Sequence, residues 1–478
     1  MRSALTTTVA VAACLAISAC ASVRKPDVRL PANFEAPAGV PAGALALDRW
    51  WTSYNDPALS ALIDQALIAN PDARSAAARL REARATRASG LLQTLPTGQV
   101  AASKKRTDTK QLAGTPINIP GFSNSGVSTA EQATFNVSWD VDVFGRTFAA
   151  NRALSGDVAA ARFEYEAARA SLAAQVADAY FQARGLAIQL EDARETARIE
   201  QSLFDTATKR AQVGIAASSD ADRVAGDLAQ ARAQAENLAA QLQVQRRTLL
   251  VLAGRASEPT ANLQAQTPAL VGEVPRIPAS LPSELLGRRP DVREAQARIA
   301  SASGRADAAA LALLPTFTLT PGIGWAKSTQ PGFTSTTRNW SIGYGVAQPI
   351  LAIPHLLADL KASNARTEQA VIAYEKAVQT AFSEAESALV QLDADRRRVT
   401  LLSDGEARAR RGYEASRIGY DRGLSDLQTA LNAEQSWRAT RTQLTAAQVQ
   451  ALRRSVQAYK ALGGGWAAET IPTQAQAR

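Results

Sequence analysis

The sequence predicts an α+β membrane protein, internally duplicated, in which long helical hairpins accompany a small β-component of four strands per copy. Three observations predict it. One is the stretch Arg146 to Arg255, which reads as two very long helices joined by a short turn. Another is a set of residues that recurs at one constant spacing in the second half of the chain. The third is a group of short segments in which large apolar side chains alternate, with period two, with small or polar ones.

The chain has 478 residues, of which aromatics make up 5%, and its helical stretches are rich in alanine. A large aromatic core is therefore not expected. The formal charge of +9 is spread in alternation with acids, as in Arg194, Glu195, Arg198 and Glu200, the pattern of solvated helix faces. The base clusters lack interleaved aromatics and no nucleic-acid motif occurs, so no nucleic acid is expected as a partner. Arg2 and the apolar run Val9 to Ile17 read as a signal peptide over 1–19, too short to span a membrane. Ile17, Ser18, Ala19 and Cys20 resemble the bacterial lipobox, which implies that Cys20 is lipidated and becomes the mature amino terminus. Cys14 would leave with the signal, so no disulfide is possible. Ala21, being no aspartate, implies the outer membrane by the same sorting pattern.

Residues 20–48 are rich in proline and alanine, with Pro26, Pro31, Pro37 and Pro41, and predict an extended tether that gives the anchor reach. Trp50, Trp51 and Tyr54 lead into Asp56 and Pro57, an N-cap and first-turn proline. The short helix they open carries Leu59, Leu62, Ile63, Ala66 and Leu67 on one face. Asn70, Pro71 and Asp72 start a second helix that runs to about Leu95, where Pro96 ends it. In the long stretch, Leu172, Val176, Ala179, Ala183, Leu186, Leu190, Ala193 and Ala197 alternate steps of four and three, a coiled-coil seam of small side chains. No proline falls between Thr147 and Gln212, so a helix of about 65 residues and roughly 100 Å is expected. Pro71, Asp72, Arg74, Ala78, Arg79, Leu92, Leu95, Pro96 and Thr97 recur as Pro290, Asp291, Arg293, Ala297, Arg298, Leu311, Leu314, Pro315 and Thr316. A first repeat over 49–258, a linker over 259–283, a second repeat over 284–465 and a disordered tail over 466–478 follow.

Phe135, Val137, Trp139, Val141 and Val143 alternate with polar residues, as do Phe317, Leu319, Ile323 and Trp325, and Trp340, Ile342, Tyr344 and Val346. A fourth strand near Val100 to Thr107 is interrupted by Lys104, Lys105 and Arg106. A half-buried soluble sheet gives the same alternation. In an exported lipoprotein it suits a lipid-facing wall around a polar lumen. Four strands are too few for a transmembrane barrel, whose smallest members have about eight, and an open edge in lipid leaves backbone groups unpaired. The protomer must therefore associate, and a homotrimer supplying twelve strands leaves a pore. The expected architecture is a trimeric α-barrel of long hairpins joined to a shared 12-stranded transmembrane β-barrel.

Three motifs now carry a resemblance: Trp50–Trp51 to Asp56–Pro57; Trp139, Asp140, Val141, Asp142, Val143, Phe144, Gly145 and Arg146; and Leu285, Leu286, Gly287, Arg288, Arg289, Pro290, Asp291 and Val292. The chain resembles the TolC-type outer-membrane factor family, and most of all its lipid-anchored NodT branch, which serves resistance-nodulation-division efflux systems. The resemblance runs from about Cys20 to Gly465. It implies a passive homotrimeric channel in the outer membrane that extends into the periplasm and docks a periplasmic membrane-fusion adaptor and an inner-membrane transporter to export drugs or other small compounds. A channel for type I protein secretion stays open within that class. A lipid-tethered periplasmic coiled-coil scaffold stays open outside it.

No catalytic constellation is visible: the single histidine, His355, has no partner for a zinc site or triad, and no phosphate-binding loop occurs. A cell-wall enzyme is disfavoured because no paired acid and base stands in a cleft motif, and no metal or cofactor is expected beyond the lipid on Cys20. By resemblance, the adaptor grips the hairpin turns, here Val213, Gly214 and Ile215 in the first and Arg422, Gly423 and Leu424 in the second. Glycine also simply permits the left-handed turn between two helices. The family's periplasmic gate maps to Asp220 and Tyr420, whose phenol reaching a carboxylate would tie neighbouring hairpins together. The acidic constriction positions of the family fall on Thr429 and Asn432, which implies a weakened charged ring and lower cation selectivity.

Overall fold

The computed structural model describes residues 26–36, 47–110, 112–113, 126–214, 217–266, 274–277, 282–330 and 332–465. A 3-10 turn at Leu47–Tyr54 precedes α1 (Pro57–Ala69) and α2 (Pro71–Leu92). Strands β1 (Thr97–Thr109) and β2 (Gly126–Val141) lead to α3 (Arg146–Gln212) and α4 (Ser218–Leu252). After 3-10 turns at Thr260–Gln266 and Pro282–Glu284 come α5 (Leu285–Arg288), α6 (Pro290–Leu311), β3 (Thr316–Gln330), β4 (Phe333–Ala347), α7 (Ile353–Asp421) and α8 (Leu427–Ala461). The fold is mostly helical with one small antiparallel sheet, and the order medium helix, strand pair, long helix, shorter long helix occurs twice.

The chain divides into two compact units. The helical unit draws on Asp27–Leu80, Ala161–Ala295 and the chain from Tyr374 onward. Its core has an aromatic centre: Trp50 stacks on Tyr459 at 5.5 Å and meets Trp51 and Tyr54 edge-on. Asp56 explains why its motif is fixed. One carboxylate oxygen accepts from the amides of Ala58 and Leu59, capping α1, while the other accepts from the Tyr180 hydroxyl at 2.8 Å and Arg184 at 2.6 Å on α3. Asn70 does the same for α2, its side-chain oxygen accepting from the Asp72 amide and its amide donating to the Leu252 carbonyl of α4. The seam of α3 buries Leu172, Val176, Ala179, Ala183, Leu186, Leu190 and Ala193, with Ala197 half-buried. Arg289, in the Leu285–Val292 motif, is a buried clamp. It forks onto Asp291 at 3.0 and 2.6 Å, reaches Glu384 of α7 at 2.7 Å, and donates to the carbonyl of Ala461.

Three differences from the sequence reading have physical causes. The helix expected to reach about Leu95 ends at Leu92, because Leu91 and Leu92 turn their carbonyls to the amides of Thr94 and Leu95 in a tight final turn ahead of Pro96. Glu200 does not lie on a solvated face. Alternating steps of three and four from Ala193 through Ala197 land on it, so it takes the next seam position and is 1% exposed, while Arg194, Glu195 and Arg198 are solvated as expected. Within the proline-rich amino-terminal segment, residues 27–36 form neither helix nor strand but are docked along α7. Glu375 accepts from the Asp27 amide, Glu386 from those of Glu35 and Ala36, and Phe34 stacks on Phe382 at 5.7 Å. Cys20, the signal segment and the carboxy-terminal tail lie outside the described residues.

Candidate conduit wall and hairpin tips

The sheet unit, from Arg81–Ala160 and Gln296–Ala373, holds four strands in the order β1-β2-β3-β4, so β1 and β4 are edges. All four strands run longer than their apolar cores suggest. Lys104, Lys105 and Arg106 do not interrupt β1: the Lys104 ammonium meets Glu131 across the ladder at 2.6 Å, while Val143 falls past the end of β2. Register puts Val100, Phe135, Ile323 and Trp340 in one row and Trp139, Leu319 and Tyr344 in another, all on one face. Most of these apolar side chains are exposed. The opposite face is small and polar. A Cβ on Gly324 would stand 2.6 Å from Asn339 Oδ1, and one on Gly343 2.6 Å from Thr320 Oγ1, crowding expected where a sheet curls toward that face. At the end of β2, the Asp142 carboxylate accepts from the amides of Thr147 and Phe148 and starts α3. The motif from Trp139 to Arg146 is thus a strand-to-helix joint.

In the helical unit the two hairpin turns share one geometry. Gly214 has φ +74° and Gly423 +71°, and nothing lies within 4 Å of a Cβ built on either. Val213, Arg422 and Leu424 are exposed beside them; Ile215 lies outside the described residues. Of the four gate positions, Asp220 is half-exposed in the first turn of α4, and Thr429 and Asn432 are exposed on α8. The Thr429 amide is capped by Asp426, and Asn432 accepts from Gln428. Tyr420 is buried, and within one chain its partner is a cation. Arg210, at the end of α3, donates to its hydroxyl at 2.9 Å and lies 4.7 Å from the ring centroid. Arg223 of α4 donates to Gln428 of α8, a second link between the hairpins.

Sequence reasoning missed the rest of that seam. Arginines of α8 face acids of α3 in antiparallel order: Arg438 donates to Glu200 at 2.8 Å, Arg441 to Asp192 at 2.5 Å, and Arg453 to Asp178 through two bonds of 2.7 and 3.0 Å. Glu434, one turn before Arg438, is 1% exposed and lies 3.6 Å from the same guanidinium. Two buried carboxylates thus share one arginine. Burial pushes Glu434 up to about 7 against the pull of Arg438, with Glu200 and Asp227 adding to the rise; burial also raises Glu200. A cavity of about 460 Å³, lined by Glu200, Asp227 and Arg438 among others, opens beside the pair. The i, i+4 spacing of Glu434 and Arg438 and the seam position of Glu200 were the available signals.

Among the described residues no helix is long and apolar enough to cross a membrane, and no group of three or more histidine, cysteine or acidic side chains is arranged to hold a metal. His355 lies in the first turn of α7, exposed, with Asp359 at 3.3 Å. The sequence pattern of the outer membrane efflux protein family matches residues 62–255 and 281–464. The chain is 30% identical over 470 residues to the pyoverdine export outer membrane protein OpmQ of Pseudomonas putida, covering 96% of this chain and 97% of that relative. It is 30% identical over 451 residues to the toluene efflux pump outer membrane protein TtgC of the same species, covering 91% and 88%. Among solved structures, the outer-membrane channel OprN aligns with a TM-score of 0.78 at 25% identity, over 93% of this chain and 100% of that one. The Neisseria gonorrhoeae MtrE channel in its open state aligns equally, at 0.78 and 25%, over 93% and 98%.

Proposed function

The chain belongs to the outer membrane efflux protein family and is not an enzyme, and from that premise we propose that it is the passive exit duct of a tripartite efflux system. Three copies pair β1 of one with β4 of the next to close a twelve-stranded barrel in the outer membrane, and their hairpins form a helical barrel in the periplasm. The observation that carries the reading is the sheet itself: among the described residues, four strands with both edges unpaired and the apolar face exposed. Such a sheet is an unfinished wall, since each unpaired backbone group in lipid costs several kcal/mol. Cys20 is acylated and anchors the chain. The turns at Val213–Gly214–Ile215 and Arg422–Gly423–Leu424 dock a periplasmic adaptor, which links the duct to an inner-membrane transporter. Tyr420 and Asp220 belong to the gate, with Arg210 as the partner of Tyr420 inside each protomer. The cargo is a small organic compound, the class named for the relatives that export pyoverdine and toluene.

The test is genetic. Deleting this gene and that of a candidate pump, separately and together, should sensitise cells to the same compounds, with no further effect in the double deletion. Additive sensitisation would separate the two, and a protein that stays monomeric in mild detergent would end the barrel.

A further inference from the structure

The cations at the end of the sheet nearest the β1–β2 and β3–β4 connections have no role in the proposed duct. On the apolar face, the row Val100, Phe135, Ile323 and Trp340 is followed, toward the β1–β2 and β3–β4 connections, by Ala102, Ala133, Trp325 and Arg338. The next row is Lys104, Glu131, Lys327 and Thr336, and the next Arg106, Thr129, Thr329 and Thr334. Four cations therefore enter this face within three rows, beginning in the row of Trp325, one row past Trp340. Two acids share the face there, Glu131 between the two lysines and Asp108 opposite Val127 one row further on. Glu131 is engaged by Lys104, and the row of Arg338 holds no acid. At the other end of the apolar band, the rows Trp139, Leu319, Tyr344 and Val141, Phe317, Val346 hold no charge. The excess of cations is thus confined to one end of the band, on the face that carries the large apolar side chains.

We propose that Arg338, Lys327, Lys104 and Arg106 form a binding surface for the phosphate groups of membrane lipids whose acyl chains lie against the apolar rows. The proposal rests on the reading that this face meets lipid. Long basic side chains at the rim of an apolar band extend toward the headgroups, and aromatic rings mark that level. An arginine fork and neighbouring ammonium groups complement phosphate oxygens. Continuity with the apolar rows selects a lipid headgroup over free phosphate, because one ligand then satisfies both the charge and the exposed hydrocarbon.

The experiment uses the full-length protein in discs of phosphatidylcholine doped with phosphatidylglycerol, with retained lipids counted by native mass spectrometry. The wild type should retain phosphatidylglycerol over phosphatidylcholine by roughly tenfold, and Lys327→Gln/Arg338→Gln should bring that preference within about twofold. Lys105→Gln, in the same strand as Lys104 but on the opposite face, should leave it unchanged. An unchanged preference in the double variant overturns the proposal, as does displacement of the lipid by inorganic phosphate alone. Tryptophan quenching by brominated acyl chains separates the two readings. Quenching with unchanged preference sinks the phosphate surface alone, whereas no quenching in the wild type removes the lipid-facing wall and this inference with it.

Discussion

The two units place their tryptophans in opposite surroundings. Trp50, in the helical unit, is 1% exposed and stacked on Tyr459, whereas Trp340, in the sheet, is 79% exposed among other exposed apolar side chains. Trp50 lies in a 3-10 turn and Trp340 in an edge strand, and neither element by itself dictates burial. Water does not stabilise a contiguous face of Val100, Ile323, Trp340, Ile342, Tyr344 and Val346. The helical unit brings its own apolar interior; on the proposed reading the sheet takes one from lipid and from further copies of itself.

The same substitution in both places breaks or keeps that contrast, and its effect is the largest expected. Trp50→Ala should destabilise the helical unit by about 3–5 kcal/mol, as the loss of a buried aromatic does. Trp340→Ala should change the same thermal transition by less than about 0.5 kcal/mol, as at a site outside the core. It should instead reduce tryptophan quenching by brominated lipids. Comparable destabilisation by the two variants in circular dichroism melts would mean that the sheet has a core of its own.

Next in size is the pH dependence of the helical unit, which the sheet should not share. Glu434 titrates at about 7 in the folded chain, above the 4.5 of an ordinary glutamate, because burial penalises its charge. A value raised by folding contributes stability that is fully present below about pH 4.5 and lost as pH rises through about 7. The groups facing it are Arg438 on its own helix, Glu200 on α3, Asp227 on α4, and Tyr413 with Arg417 on α7. A shift of this size amounts to up to about 3 kcal/mol. Melts of the wild type should therefore fall between pH 5 and 8 by roughly that free energy, and Glu434→Gln should flatten the slope. An unchanged slope in that variant would place the titration elsewhere.

The contrast also explains what the sequence makes legible. Long helices without proline, caps such as Asp56 and Asn70, and strands of period two are local patterns, and they appear where the chain predicts them. The three motifs that carry the family resemblance prove to be joints: Asp56 ties α1 to α3, Asp142 starts α3, and Arg289 gathers Asp291, Glu384 and the carboxyl end of α8. They identify the fold better than they identify a site. A charge on a long helix is usually outside, and Glu200 is inside because it continues the seam of α3 and meets Arg438 of α8 there. Arg210 carries no local signal, because its partner, Tyr420, is distant in sequence and meets it only when the two hairpins pack.

The smallest effect belongs to the two turns, and it separates conformation from docking. Gly214 and Gly423 both have positive φ, and a methyl group on either meets nothing within 4 Å. An alanine there should cost only the backbone penalty, about 1 kcal/mol, at each turn alike. Their surroundings differ: Val213 precedes the first and Arg422 the second, while the half-buried Arg210 and the buried Tyr420 link the two hairpins. If the turns are only turns, Gly214→Ala and Gly423→Ala should leave efflux intact, and larger substitutions should lose it only as the trimer is lost. If they are the adaptor's footholds, bulky substitutions at either glycine should abolish efflux at normal trimer abundance, as read by compound accumulation beside native gels. Loss of adaptor cross-linking at one turn and not the other would then assign the contact to Val213 or to Arg422.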